Sequence, residues 1–360
     1  MSLTNKIYYV YPKTKLVSFR TIAEKHIQYL RRYYRVEAAD EGAFHVIYTL
    51  NYALKQTPIL LQPCFYPLGV YKKRLLDKFG EPQGLIGIDV ADSDHISKEG
   101  IELINMLSAL IVPSQFSRMA YINSGAATLV YAIPHGVDES WITTPRKTPF
   151  FLKKLSELKE KTEAKLLQCW ILHSPYRKGL DLLINFFNRL IKERKDVALV
   201  VRAQGQLKIF TKPIEDESLR TPSTIPIGWL SEQQKMELFD ICDMYVLTSR
   251  GGGFEHPPFE AMTRGEIVIA AKGGAWDDYM PEWGLIQSHK SGHVLPNNPI
   301  HDGLGVEMEI DKAIEKTTEI LDNMDEYKAR VKEYVNTHVK PNFTWDKIAE
   351  KIKNVIEEVR

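Results

Sequence analysis

Three short stretches hold residues whose types and order suit chemistry. GGGFEHPPFEAMTRGE (residues 251–266) sets three glycines and two prolines before a helical pattern that closes at Gly265. Proline fits the first turn of a helix, where its missing N–H costs nothing and its φ is preset. Glycines let backbone amides approach an anion with no Cβ in the way, and a helix N-terminus adds unpaired N–H donors and a positive dipole end. That dipole contributes about 0.3–1 kcal/mol toward a negative group. A diphosphate is the natural ligand, with a plain tight turn as the competing interpretation. The spacing is neither GxGxxG nor GxxxxGKS/T, so the loop is not a dinucleotide fingerprint or a P-loop.

The second stretch, ILHSPYRKGLDLL (171–183), places Arg177 and Lys178 just before Gly179 and an amphipathic pattern. An arginine fork and a lysine point charge neutralise phosphate in complementary ways. A solvated basic turn is the alternative. The third, IDVADSDHIS (88–97), gathers Asp89, Asp92, Asp94 and His95. Such groups can orient a hydroxyl or take its proton at about 2.6–3.2 Å. Helix capping by Asp92 or Asp94 competes with that reading. DSD matches DxD only as text, and no metal site is expected.

These stretches need elements that bring them together. Apolar, β-branched runs predict strands at 7–11, 44–49, 58–61, 85–90, 109–112 and 128–133, then at 166–172, 197–201, 244–248 and 267–270. Amphipathic segments alternate with them; Ala23, Ile27, Leu30 and Tyr34 share one helical face. Near-continuous apolar strands between helices predict parallel sheets covered on both sides. The basic loop and the glycine loop each follow a strand, so both fall at a sheet's carboxyl edge, where open α/β sheets bind ligands. The expected organisation is a first Rossmann-like domain over 1–140, a Lys-, Pro- and Thr-rich linker over 141–165 and a second Rossmann-like domain over 166–342. A closing helix over 343–360 buries one face, with packing back onto the first domain expected.

Composition bounds the function. A net charge of +1 over 360 residues gives no global field for nucleic acid. Cys64, Cys169 and Cys242 lie far apart, without CxxC spacing, and read as buried thiols in a reducing compartment. No apolar run nears the roughly 20 residues that span a bilayer. With no signal-like leader, a cytoplasmic location is expected. Basic, aromatic patches at 29–35 and 72–78 suggest peripheral contact with an anionic membrane, or simply solvated helix faces.

At this point the chain resembles the retaining glycosyltransferases of family 4, which have the GT-B fold and use nucleotide sugars. IVPSQFSR and YAIPHGVD (111–118, 131–138) look like the end of the family's first domain, and YRKGLDLL (176–183) like its phosphate loop. Residues 227–250 look like its base-binding strand, helix and strand, 253–274 like its signature, and FTWDKIAEKI like its closing helix. The resemblance implies an α/β fold of two Rossmann-like domains with parallel sheets facing a central cleft. It implies a nucleoside-diphosphate sugar as donor (UDP or GDP), a glycan, lipid-linked or small-molecule acceptor, no covalently bound cofactor and no required metal. The family's second signature glutamate, which typically holds ribose hydroxyls, falls on Glu260. The first, eight positions earlier with seven residues between, falls on Gly252, and Glu255 stands where the family has glycine.

The same resemblance implies that Gly253, Phe254 and Glu255 supply amides to the diphosphate beside Lys178. It places His173 where the family has an arginine, and Trp229 and Leu230 at the base pocket, although a core position for Trp229 fits equally. After the first strand, PKTKLVSFRT replaces the customary glycine-rich loop, making Ser18 and Arg20 candidates for phosphate or acceptor contact. Arg177 and Lys178 would oppose the charge that grows on the leaving oxygen, while Asp89 and His95 would orient acceptor or sugar. A non-catalytic sugar-binding protein and a sugar-nucleotide epimerase are the rival readings.

Overall fold

The structure is a computed structural model that describes residues 6–15, 17–54, 57–79, 84–146, 152–216, 218–221 and 223–359. The 72–78 patch falls largely outside the described side chains. The chain divides into two units: Met1–Gly136, Pro296–Gly303 and Asn342–Arg360 form the first, and Val137–Leu295 and Leu304–Pro341 the second.

The first unit is built on β1 (Lys6–Tyr11), β2 (Arg35–Asp40), β3 (Ile59–Leu61), β4 (Leu85–Ile88), β5 (Ala109–Val112) and β6 (Leu129–Ala132). They line up as β2-β1-β3-β4-β5-β6, all parallel. One core lies between the sheet and helices Ser18–Leu30 and Trp345–Glu358. Ile348, Ile352 and Ile356 recur every four residues and are fully buried, which fixes the closing helix by its apolar stripe. A second core, with Phe44, Tyr48, Leu68, Ile104 and Tyr121, covers the other face.

Residues 44–49, expected as a strand, instead belong to the helix Phe44–Leu54. Phe44 and Tyr48 are buried at helical spacing while Val46 and Leu50 stay exposed, so apolar residues on the solvent face hid the period of 3.6. Asp40 accepts from the Gly42 amide and opens the turn that leads in. The real second strand, Arg35–Asp40, carries charges at an edge and gave no apolar run.

The second unit has β7 (Lys165–Trp170), β8 (Val197–Ala203), β9 (Gln206–Phe210), β10 (Thr224–Pro226), β11 (Met244–Leu247), β12 (Ile267–Ala271) and β13 (Leu285–Ile286) in the order β10-β9-β8-β7-β11-β12-β13. The sheet is mixed, a correction to the expected parallel one. β8 turns at Gly205 (φ 67°) into an antiparallel β9, and β10 follows antiparallel again. β8, β7, β11, β12 and β13 remain parallel. A separate antiparallel hairpin pairs β14 (Ser288–His293) with β15 (Leu304–Met308). Helices Glu139–Thr143 and Lys153–Thr162 occupy much of the Lys- and Pro-rich stretch. All three cysteines are free and buried, and no described helix is long and apolar enough to cross a membrane.

Candidate functional site

In the second sheet β7 has β8 on one side and β11 on the other, so the strand order reverses between β7 and β11. Loops leaving such neighbours diverge and open a crevice at the carboxyl edge. The basic loop leaves β7 and the glycine loop leaves β11.

The two loops are stitched together. The Arg250 amide donates to the Arg177 carbonyl at 2.7 Å, and Thr248 Oγ1 donates to the Lys178 carbonyl at 2.9 Å. Gly179 has φ 69°, and a Cβ there would fall on the Thr248 carbonyl oxygen, so both the turn and the close approach require glycine. The Arg250 side chain, 3% exposed, donates to Asp181 through both terminal nitrogens at 2.7 and 2.6 Å and to Glu307 at 2.6 Å. It also reaches the Tyr176 carbonyl at 2.6 Å and lies 4.1 Å over the Tyr176 ring. These partners hold the basic loop, the start of helix Leu180–Glu193 and β15 in one arrangement.

Lys178 points at the glycine loop. Its ammonium donates to both oxygens of Glu255, at 2.5 and 2.6 Å. Ser249 Oγ donates to the same carboxylate at 3.0 Å, and Arg177 Nη1 lies 3.8 Å away while donating to the Gly251 carbonyl at 2.9 Å. Glu255 is the N-cap of helix His256–Thr263 with φ 64°. A non-glycine residue in that region costs about 1–3 kcal/mol, and such strain clusters at functional loops. The Tyr279 hydroxyl, donating to the Glu255 carbonyl at 2.9 Å, helps to hold it. Pro257 lies in the first turn that follows, where helix N–H groups have no intrahelical acceptor.

On the same helix Glu260 accepts from Lys235 Nζ at 2.9 Å. Lys235 comes from helix Glu232–Ile241, which Ser231 and Gln234 close with a reciprocal capping box. The lysine also pairs with Glu232 at 2.8 Å and sits 5.1 Å over the Trp141 ring. His256 is half-buried beside Phe254 and Phe259, and desolvation, then the nearby Lys235 charge, pulls its imidazole down to about 3.

The expected residues therefore divide. Arg177, Lys178, Gly252, Gly253, Phe254 and Glu255 meet around the paired loops. Trp229 is 66% exposed and Leu230 buried, so the core alternative for Trp229 is excluded. His173 is exposed in the loop after β7. In the first unit Asp89 is 3% exposed. Its carboxylate accepts from the Cys64, Phe65 and Val90 amides at 2.8, 3.3 and 2.9 Å, bracing the loops after β3 and β4. Burial raises its pKa. His95 is half exposed and meets Asp302 at 2.6 Å, on the segment 296–303 that packs in this unit. Ser18 opens a helix, and Arg20 pairs with Glu24 at 2.9 Å. Among the described residues no cluster of His, Cys, Asp and Glu could hold a metal ion.

Sequence reasoning missed the side-chain role of Glu255, together with Lys235 and Arg250. Arg250 stood directly before the glycines and was the one signal available; Lys235 lies within an ordinary polar helix.

Comparisons with known proteins bear on the fold and the family. The family described as Glycosyl transferases group 1 matches residues 156–303. The crystal structure of Anabaena HepE in complex with UDP superposes with a TM-score of 0.65 at 15% identity, covering 98% of this chain and 100% of that one. A glycosyltransferase from Rickettsia africae gives 0.67 at 14% identity, covering 99% of each. These likenesses establish the GT-B fold. Uncharacterized protein 356 of Sulfolobus islandicus rod-shaped virus 1 is 32% identical over 362 residues, 98% of each chain. The chain thus belongs to one family with that viral protein, and it carries a glycosyl transferases group 1 domain within a GT-B fold.

Proposed function

We propose that the protein transfers a sugar from a nucleoside-diphosphate sugar to a hydroxyl-bearing acceptor, a glycan, a lipid-linked sugar or a small molecule. The observation that carries this reading is the convergence of Lys178, Arg177 and the strained glycine loop at the β7–β11 reversal. An ammonium, a guanidinium and a helix N-terminus at one sheet edge suit a diphosphate. The group 1 family match over this region and the UDP in the HepE crystal structures favour a uridine nucleotide.

In this account the diphosphate lies against the amides of Gly253, Phe254 and Glu255, with Lys178 beside it. Glu260 takes the ribose hydroxyls, and the exposed indole of Trp229 stands near the base beside Leu230. As the glycosidic bond breaks, negative charge grows on the leaving phosphate oxygen. Lys178 and Arg177 oppose that charge more strongly in the transition state than before it, which is where rate enhancement originates. The acceptor oxygen bonds to the anomeric carbon on the face from which the phosphate leaves and gives its proton to that phosphate, so the sugar is delivered with retention. His95 is assigned the orienting of acceptor or sugar, and Asp89 the holding of the loop that carries His95. No metal is assigned a step.

Product analysis tests the reading. Incubation with UDP- and GDP-sugars and a panel of glycans and polyprenyl acceptors should release nucleoside diphosphate and yield a new α-linked glycoside from an α-linked donor. An isomerised donor without a glycoside would make the protein an epimerase, and absence of turnover with saturable binding would make it a sugar-nucleotide binder.

A further inference from the structure

Gly252 has no room for a side chain while Glu255 stands where it does. A Cβ built on Gly252 would lie 2.5 Å from Glu255 Oε1, 3.1 Å from its Cδ and 3.3 Å from its Cγ. The Glu255 carboxylate has turned back along the loop into that space. There both its oxygens accept from the Lys178 ammonium, at 2.5 and 2.6 Å, and one accepts from the Ser249 hydroxyl at 3.0 Å, with 6% of the side chain exposed. The backbone enters the left-handed region to deliver it.

We propose that Glu255 is the counter-charge of the diphosphate site, a carboxylate supplied from position 255 into the space that a side chain at 252 would fill, and that it limits how tightly Lys178 holds a diphosphate. This rests on the nucleotide-sugar reading above. The charge acts in two directions. It fixes the lysine's aim, because an ammonium bonded by both carboxylate oxygens has one geometry. It also sets a negative group within a few ångströms of any phosphate that reaches the same ammonium, so the bound nucleotide is less tightly held. A transferase must shed its diphosphate product at every turnover, and release commonly limits kcat. Glu255 is on this account a positioning residue.

The test uses calorimetric titration of the whole chain with UDP, together with Tm, for the wild type, Glu255→Gln, Gly252→Glu and the double variant Gly252→Glu/Glu255→Gly. Glu255→Gln keeps an acceptor for Lys178 while removing the charge, and should bind UDP about three- to tenfold more tightly. Gly252→Glu alone forces two carboxylates into one space and should lower Tm by about 3 °C or more. The double variant moves the carboxylate to 252 and places glycine at the left-handed position. It should regain the wild-type Tm and bind UDP within about threefold of wild type. UDP binding by Glu255→Gln no tighter than wild type, or a double variant no more stable than Gly252→Glu, overturns the proposal. Lys178→Ala separates the two readings. If it weakens UDP binding while Glu255→Gln fails to tighten it, only the counter-charge is wrong. If UDP binds none of these chains, the nucleotide reading fails, and the Tm comparison still decides whether the carboxylate was relocated.

Discussion

Lys235 Nζ donates to Glu260 Oε1 at 2.9 Å, joining the polar face of helix Glu232–Ile241 to the centre of helix His256–Thr263. Both side chains are largely enclosed, at 14% and 12% exposure. Lys235 is the only hydrogen-bond donor to that carboxylate among the described residues, and it engages one oxygen. A carboxylate held at one oxygen in a fixed orientation is prepared to accept from a vicinal diol at the other.

Glu260→Gln should therefore weaken UDP binding about ten- to a hundredfold, the effect of losing about 1.5–3 kcal/mol of charged hydrogen bonding. The loss should shrink to within about threefold when the titrant is 2′,3′-dideoxy-UDP, which has no diol to offer. An equal loss with both nucleotides would place Glu260 away from the ribose.

Gly179→Ala combines a disfavoured φ with a Cβ directed at the Thr248 carbonyl oxygen. The basic loop must then separate from the end of β11. Denaturant unfolding should show a loss of about 2–4 kcal/mol, and UDP affinity should fall with it. A variant of native stability and affinity would show that the loops do not need their close approach.

Arg264 and Asp240 form a doubly bonded pair at 2.8 Å on each nitrogen, with both side chains less than 5% exposed. Arg264 also donates to the Trp141 and Thr144 carbonyls at 2.6 and 2.9 Å, tying the end of the helix that bears Glu260 to residues 141–144. Arg264→Ala removes the guanidinium that both Asp240 oxygens accept from and leaves the Trp141 and Thr144 carbonyls without it, so it should cost about 3–5 kcal/mol. Unfolding of the variant followed by circular dichroism measures it; a loss under about 1 kcal/mol would mean that the guanidinium does not hold this end of the helix in place.

Two histidines make stability depend on acidity. His26, lowered to about 3 by burial and then by His135, is buried and hydrogen-bonded to Tyr9 at 2.7 Å; His256 is lowered to about 3 by burial and then by Lys235. Between pH 3 and the ordinary value near 6.5 the unfolded chain binds protons at these rings that the folded chain refuses. Their contribution is complete above about pH 6.5 and falls as the pH drops toward 3, by about 1.4 kcal/mol per pH unit for each ring. Burial raises the Asp89 and Glu266 pKa values, which act in the opposite sense, so the comparison of variants is the informative one. His256→Gln should flatten the slope between pH 6.5 and 5 relative to wild type. An unchanged slope would mean that His256 already protonates in the folded chain.

Much of the frame was legible because burial on both faces leaves an unmistakable trace. Five of the six strands of the first unit, and β7, β8, β11 and β12 of the second, appear as apolar runs, since a parallel strand covered on both sides has no polar positions. Three outlying strands left no such trace: Arg35–Asp40 is charged, Thr224–Pro226 is three residues long and Ser288–His293 is largely polar. Residues 44–49 misled because Val46 and Leu50 are apolar and exposed. At the site, glycine, proline and lysine mark backbone geometry and charge, and these are properties of local sequence. The turn of Glu255 back onto Lys178 depends on a left-handed backbone angle and on empty space at Gly252, which no spacing encodes. The Lys235–Glu260 bond joins residues 25 apart through tertiary packing alone.

The proposed nucleoside-diphosphate site lies at the loops after β7 and β11 of the second unit. Titration of UDP, GDP and ADP into the wild type, Lys178→Ala and Glu260→Ala, with Tm as a control for folding, tests it most directly. The wild type should bind one nucleoside diphosphate saturably, and each folded variant should lose at least about tenfold in affinity. Identical affinity in all three chains would contradict it.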